Sequence, residues 1–348
     1  MKILERTHDE FVNAFYRRYG RGAGISTKIY RHVMKTGNVT FHDSGTFAAA
    51  APDLADRLKS ELSLRSGRIV EKISDRGVVK FVTRLPDGLD IETVVIPMYR
   101  RHTLCVSSQV GCRMGCRFCR TGRLRLIRNL TAAEIVSQVF DARFRLGCDI
   151  RNVVFMGMGE PLDNFDNVVQ AIRVLNDQRG LDIARRYITV STAGLIRGID
   201  QLAASVSPPV NLAVSLNASN DDIRSQLMPI NRNAPMAALR ESLMKYPLNR
   251  KSALFIEYVL IQGVNDSKAH ARELARYLAP MKAKLNLIAY NQAPGSDFRP
   301  PSVDTFARFH GWLLDLNVFV RRRGERGARI MAACGQLGGE GTKRPLAV

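Results

Sequence analysis

Three cysteines, Cys112, Cys116 and Cys119, stand in the stretch "GCRMGCRFCRTG" at C-x3-C-x2-C spacing. Thiolates bind soft metals, and spacing this close lets one loop wrap a metal or cluster. A structural metal site normally takes four ligands, whereas this loop offers three. Two readings are open at this point. Cys105 supplies the fourth ligand of a structural zinc site, or three cysteines hold a [4Fe–4S] cluster and leave one iron open for chemistry. The remaining cysteines are Cys148, which reads as a structural residue near a helix end, and Cys334, which is followed by Gly-Gln-Leu-Gly-Gly. In a reducing cytosol, clustered cysteines point to metal or redox chemistry rather than to a disulfide framework.

Further along, small and polar residues recur where predicted strands end. "GMGEPL" (Gly157–Leu162) offers glycines that let backbone approach a ligand, and Glu160, which can accept hydrogen bonds from an ammonium group. "STAG" begins at Ser191 and "SLNA" at Ser215. Hydroxyl and amide side chains at such places suit ribose and carboxylate contacts, because ligands bind at the carboxyl ends of parallel strands. Each motif alone is also compatible with an ordinary turn or cap.

The elements that must position these residues fall into three zones. Residues 1–66 read as short helices, with "FVNAFYRRY" apolar at helical spacing, breaks at Gly20, Gly22 and Gly24, and a later helix in "APDLADRLKSEL". Residues 67–110 change to a β-rich, antiparallel pattern: "RIVEKI", "VVKFVTRL" and "IETVVIP", separated by turn residues. From 111 to 348, six strand-like runs from "NVVFMG" to "NVFVRR" alternate with helical segments. The first of those helices carries Thr131 and Glu134 in capping-box positions. The rhythm predicts an α/β core with parallel strands, too few for a complete eight-fold barrel.

Fifty-two Lys and Arg against 32 Asp and Glu give a formal charge of +20, which favours a polyanionic partner. The basic residues cluster in "YRRH", "RTGRLRLIR" and "VRRRGERGAR". No apolar run is long enough to span a bilayer and the N-terminus lacks a signal-peptide core, so a cytoplasmic protein is expected.

Taken in order, "CVSSQVGCRMGCRFC", "RNLTAAEI", "GMGEPLDN", "STAG", "SLNA", "YN" and "AACGQL" resemble the RlmN/Cfr family of radical S-adenosylmethionine (SAM) RNA adenine methyltransferases. The resemblance covers nearly the whole chain and is densest from Glu92 to Leu337. It implies a partial (β/α)6 radical SAM barrel with a small N-terminal helical domain and a β-rich linker. It implies that Cys112, Cys116 and Cys119 hold a [4Fe–4S] cluster whose open iron binds SAM. Gly159, Glu160, Ser191, Ser215, Leu216, Asn217 and Asn291 fall where the family contacts SAM. Glu92 aligns with the proposed proton acceptor, Cys334 with the cysteine that becomes S-methylated, and Cys105 with the second catalytic cysteine.

The implied chemistry explains the two extra cysteines. An sp2 carbon of adenine, C2 or C8, is too poor a nucleophile for direct methyl transfer from SAM. A methyl group therefore passes first to the Cys334 thiolate, and a radical derived from a second SAM activates it for addition to the ring. Cys105 then resolves the protein–RNA link, ending in a disulfide with Cys334. Expected partners are RNA (23S ribosomal RNA and/or transfer RNA) and a reducing electron donor such as flavodoxin; no membrane is expected, and the protein is expected to be a monomer. The stretch "RTGRLRLIR" and the basic "ERGARIM" before Cys334 depart from the family pattern by adding positive charge. Two alternatives of other classes are a zinc-stabilised non-catalytic RNA-binding protein and a radical SAM enzyme acting on a non-RNA substrate.

Overall fold

The computed structural model describes residues 1–339 apart from 21, 39–51, 63, 65 and 325. The middle of the expected N-terminal helical zone, including Ala51 of "APDLADRLKSEL", and the tail from 340 to 348 lie outside the described residues.

Among the described residues the chain opens with α-helices α1 (His8–Tyr19), α2 (Ala23–Thr36) and α3 (Pro52–Glu61). Thr7 and Glu10 form a reciprocal capping box on α1, and Gly20 ends it in the left-handed conformation. Phe11, Phe15, Tyr30, Val33 and Met34 are fully buried, so α1 and α2 bury their apolar faces.

The β-rich zone forms β1 (Arg68–Asp75), β2 (Val78–Arg84) and β3 (Asp90–Pro97), paired antiparallel as the alternating pattern predicts. β3 pairs antiparallel with β4 (His102–Cys105), and β4 begins the parallel part of the sheet. There follow β7 (Ile150–Phe155), β8 (Ile188–Thr192), β9 (Asn211–Ser215), β10 (Leu254–Leu260), β11 (Ala283–Ala289) and β12 (Val320–Arg323), each parallel to its neighbour. The minor strands β5 (Gln109–Val110) and β6 (Arg128–Asn129) pair only with each other.

One ten-stranded sheet, in the order β1-β2-β3-β4-β7-β8-β9-β10-β11-β12, thus contains both the linker and the six-strand run. The boundary expected at 110/111 separates no sheets: β4 carries the hydrogen bonding across it. Among the described residues β1 and β12 are the unpaired edges, so the barrel stays open on one side.

The crossover helices include α4 (Arg120–Arg123), α5 (Ala132–Phe144), α6 (Phe165–Asn176), α7 (Ile196–Ser205), α8 (Asp221–Leu227), α9 (Met236–Lys245), α10 (Lys268–Leu278) and α11 (Val303–Asp315). The Thr131–Glu134 capping box is present on α5. Residues Ala132 to Ala142 of that helix are all buried, because it is covered both by the sheet and by the N-terminal segment that carries Ile3 and Leu4. The N-terminal helices therefore share one apolar core with the barrel. Trp312 packs against that core beside Phe309, as its place in an amphipathic helix predicts.

Candidate active site

The short β5–β6 ribbon pinches the base of the loop that carries the three cysteines. Gly111 has φ +76°, and a Cβ there would lie 1.7 Å from the Arg125 carbonyl, so only glycine allows the loop to close. Cys112 N–H donates to Arg125 O at 3.1 Å and Ile127 N–H donates to Val110 O at 2.9 Å across the same neck.

Cys112, Cys116 and Cys119 line a cavity of about 150 Å³ at the carboxyl ends of the parallel strands. Gly159, Glu160, Ser191, Ser215 and Asn217 line it too, as does Cys334. Leu216 does not: its side chain is buried in the main core, and only its backbone reaches this region. Asn291, Glu92 and Cys105 lie outside this cavity's wall.

Glu160 is 3% exposed, and its carboxylate accepts from the amides of Ala193 (2.7 Å) and Leu162 (3.1 Å). Burial raises its pKa to about 7, against the lowering effect of those amides. Asn217 adopts φ +59°, which an asparagine tolerates better than most residues. Its Oδ1 accepts from Val259 N–H at 2.9 Å, so this side chain also fastens the end of β10.

The strand-end loops are bound together by residues to which the motifs gave no role. Arg224 is fully buried and donates to the carbonyls of Ala193 (2.6 Å) and Leu216 (3.2 Å), joining the "STAG" and "SLNA" turns. Gln109 accepts from Glu160 N–H and donates to Asp163, each at 2.8 Å. Neither has a local signature, since each acts on partners far away in sequence.

Cys334 sits where this cavity meets a second, larger one of about 650 Å³. The wall of the second is basic, with Arg186, Arg321, Arg322, Arg323 and Arg326, and includes Asn291. Asn291 is buried and its Oδ1 has no hydrogen-bond partner. Cys334 is exposed and opens on both cavities. Burial pushes the thiol up, and the Arg323 guanidinium opposes that shift.

The segment bearing Cys334 crosses the open side of the barrel and is tied down on several sides. Arg120 N–H donates to Gly335 O at 2.8 Å and Thr121 Oγ1 to Leu337 O at 2.7 Å, which fixes it to the cysteine loop. Gln336 Nε2 donates to Gln292 O at 3.2 Å, and Gly338 N–H donates to Glu92 Oε2 at 2.7 Å.

Cys105 ends β4 and is buried in an apolar patch with Val78, Val94, Met158, Ala332 and Leu337. Burial raises its thiol to about 12, and the nearby Cys334 adds to the rise. Cys105 is therefore a neighbour of Cys334 and not a member of the three-cysteine set, which corrects the zinc alternative. Among the described residues, no three His, Cys, Asp or Glu side chains converge closely enough to share one metal ion. The donor set fits an iron–sulfur cluster: three thiols line one cavity, where burial raises Cys112 to about 12 and Cys116 well above its ordinary value unless a cation is bound. The orphaned Oδ1 of Asn291 is an acceptor of the kind a ligand would satisfy.

Residues 106–275 match the model of the radical SAM superfamily. The chain is 40% identical to the "Probable dual-specificity RNA methyltransferase RlmN 1" of Protochlamydia amoebophila, over 99% of this chain and 96% of that protein. The chain belongs to the RlmN family. It is 47% identical to the "Dual-specificity RNA methyltransferase RlmN" of Geobacter sulfurreducens, over 86% of this chain and 84% of that relative. A crystal structure of a radical SAM methyltransferase from Sphaerobacter thermophilus superposes with a TM-score of 0.89 at 38% identity, covering 97% of this chain and 98% of that one. As an RlmN-family member the chain is a SAM-dependent enzyme with the radical SAM fold. No helix among the described residues is long and apolar enough to cross a membrane.

Proposed function

We propose that this enzyme methylates C2 or C8 of an adenine in 23S ribosomal RNA and/or transfer RNA through an S-methylcysteine at Cys334. The observation that carries the reading is the position of Cys334 in the wall shared by the cysteine-lined cavity and the arginine-lined groove. When bound, a [4Fe–4S] cluster on Cys112, Cys116 and Cys119 together with SAM supplies the methyl group and the one-electron chemistry that an unreactive ring carbon requires.

The chain's own residues do the rest. Gly159, Glu160, Ser191, Ser215 and Asn217 form the surface that holds and orients SAM, and Asn291 contributes its free carbonyl from the adjoining groove. The Cys334 sulfur accepts the methyl group, and Arg323 favours its thiolate form. Once the sulfur-bound carbon is joined to the adenine, the adduct returns its unpaired electron to the carrier that supplied it, and Glu92 takes the proton from the substituted ring carbon. Cys105 then attacks the Cys334 sulfur. An S–S bond forms as the C–S bond breaks; the electron pair of the broken bond goes to the carbon that was held by sulfur, and that carbon takes up the proton given up by the Cys105 thiol to complete the methyl group. Two electrons from a donor such as flavodoxin restore both thiols.

The groove suits a nucleic acid. Arginines contact phosphates without reading sequence, and aromatic rings stack on exposed bases. Tyr187 is flanked by the guanidiniums of Arg151 and Arg186 at 4.5 and 4.7 Å from its ring centre. Tyr99, 93% exposed, tips the β3–β4 hairpin whose Met98 lines the groove. The enzyme is placed in the cytoplasm as a monomer that meets folded RNA through this face. Nucleoside mass spectrometry of ribosomal and transfer RNA, from cells with and without the gene, tests the function. Loss of 2-methyl- or 8-methyladenosine supports it. Unchanged levels of both would point to a radical SAM enzyme with another substrate.

A further inference from the structure

Lys80 and Glu92 form a buried ion pair on the inner face of the linker strands, with Nζ 3.4 Å from Oε1 and the side chains 9% and 5% exposed. Lys80 lies opposite Val94 on β3, and Val94 lies opposite Cys105 on β4, so Lys80 shares a cross-strand row with Cys105, with Val94 between them. Val78, Val94, Ala332 and Leu337 form an apolar cluster with Cys105 on these strands and the Cys334 segment. Burying two charges there has a desolvation cost that an apolar pair of similar volume would avoid, so the pair is a poor device for stability alone.

Both charges also hold the Cys334 segment. Lys80 Nζ donates to the Met331 carbonyl at 3.4 Å, upstream of the cysteine. Glu92 Oε2 accepts from Gly338 N–H at 2.7 Å, downstream of it. Met331 itself is in the left-handed region, φ +51°, a conformation that a non-glycine residue holds only when its surroundings enforce it. The contacts close a ring: Lys80, Met331, the backbone through Cys334 to Gly338, Glu92, and back to Lys80.

We propose that Lys80 is a positioning residue that clasps the Cys334 segment and aims Glu92 at the substrate. Glu92 has one oxygen on Lys80 and the other on Gly338, so its release from Gly338 frees it to take a proton and loosens the cysteine segment in one movement. The proton-acceptor part of this inference rests on the role proposed above for Glu92; the clasp does not.

The test has two readouts. In cluster-free, full-length protein, hydrogen exchange of the peptide containing Gly338 reports the clasp directly. Lys80→Met should speed that exchange about tenfold or more and leave peptides from β10 and β11 unchanged, and Lys80→Arg should restore much of the protection. Unchanged exchange in Lys80→Met overturns the clasp. If Lys80→Met does not fold, Lys80→Met/Glu92→Gln removes both charges together and should show the same fast exchange; wild-type protection in that double variant overturns the clasp equally.

In the loaded enzyme, Lys80→Met should keep Cys334 S-methylated while the covalent Cys334–RNA adduct accumulates, as it should in Glu92→Gln. Equal loss of methylation and adduct in Lys80→Met would overturn the positioning role. If Glu92→Gln itself accumulates no adduct, the proton-acceptor reading fails, and the exchange measurement still judges the clasp.

Discussion

The amide of Arg120, the residue after Cys119, donates to the carbonyl of Gly335, the residue after Cys334, at 2.8 Å. This one bond sets the last cysteine of the three-cysteine loop beside the cysteine proposed to carry the methyl group. The next residue, Thr121, adds a second link through its hydroxyl to the Leu337 carbonyl.

Removing that second link should loosen Cys334 without emptying the metal loop. Thr121→Val replaces the hydroxyl that donates to the Leu337 carbonyl with a methyl group, leaving a buried acceptor unpaired at a cost of about 1–3 kcal/mol. Iron content should stay at the wild-type value while RNA methylation falls about tenfold. Loss of iron in parallel would show that the contact supports the loop instead.

Replacing any one of Cys112, Cys116 and Cys119 by Ala should abolish the iron–sulfur absorption of anaerobically purified protein and all RNA methylation. Cys148→Ala should do neither, because Cys148 packs against the main core away from the site. A colourless, zinc-containing wild-type protein would contradict the assignment.

Tyr99 should matter for RNA and not for SAM. A stacked base is worth about 1–3 kcal/mol, so Tyr99→Ala should raise the KM for RNA roughly tenfold with little change in kcat or in SAM cleavage without RNA. RNA binding should also weaken steeply with salt, given the arginines of the groove. An unchanged KM would place the RNA elsewhere.

Asp141 provides a pH test remote from the chemistry. Burial raises its carboxyl from 3.8 to about 6, against the opposing pull of Arg145 at 3.1 Å. Between those pH values the folded state binds more protons than the unfolded one, so stability falls as pH rises. The full penalty is present above pH about 6 and absent below the unfolded value. Asp141→Asn should therefore match the wild type near pH 4 and exceed it above pH 6, by about 1–3 kcal/mol. Thermal unfolding at both pH values measures this, and a constant offset would contradict it.

The cysteine spacing and the β/α rhythm were legible in the sequence because both are local patterns. The capping box at Thr131 and Glu134 was legible for the same reason. β4 was not: "HTLC" is four residues with two polar ones, and it becomes a parallel strand only by pairing with β7. Cys105 could not be separated from the metal loop by spacing alone, since seven positions are within reach of a loop ligand; its strand pairing carries it to the Cys334 side. Glu92 came from family resemblance, whereas Lys80 and Arg224 carried no signal, and Gln109 stood in the quoted "CVSSQVGCRMGCRFC" stretch without a role of its own. Their partners are distant in sequence, and an ordinary strand lysine or helix arginine is solvated.

The central claim, that Cys334 carries carbon to RNA and Cys105 releases it, is tested most directly in one variant. Cys105→Ala, loaded with its cluster and given SAM, reductant and RNA, should stall with RNA covalently attached. Mass spectrometry of the peptide containing Cys334 should show an adenine joined to the sulfur through one carbon. An unmodified Cys334 in a variant that still holds its cluster and cleaves SAM would contradict the account.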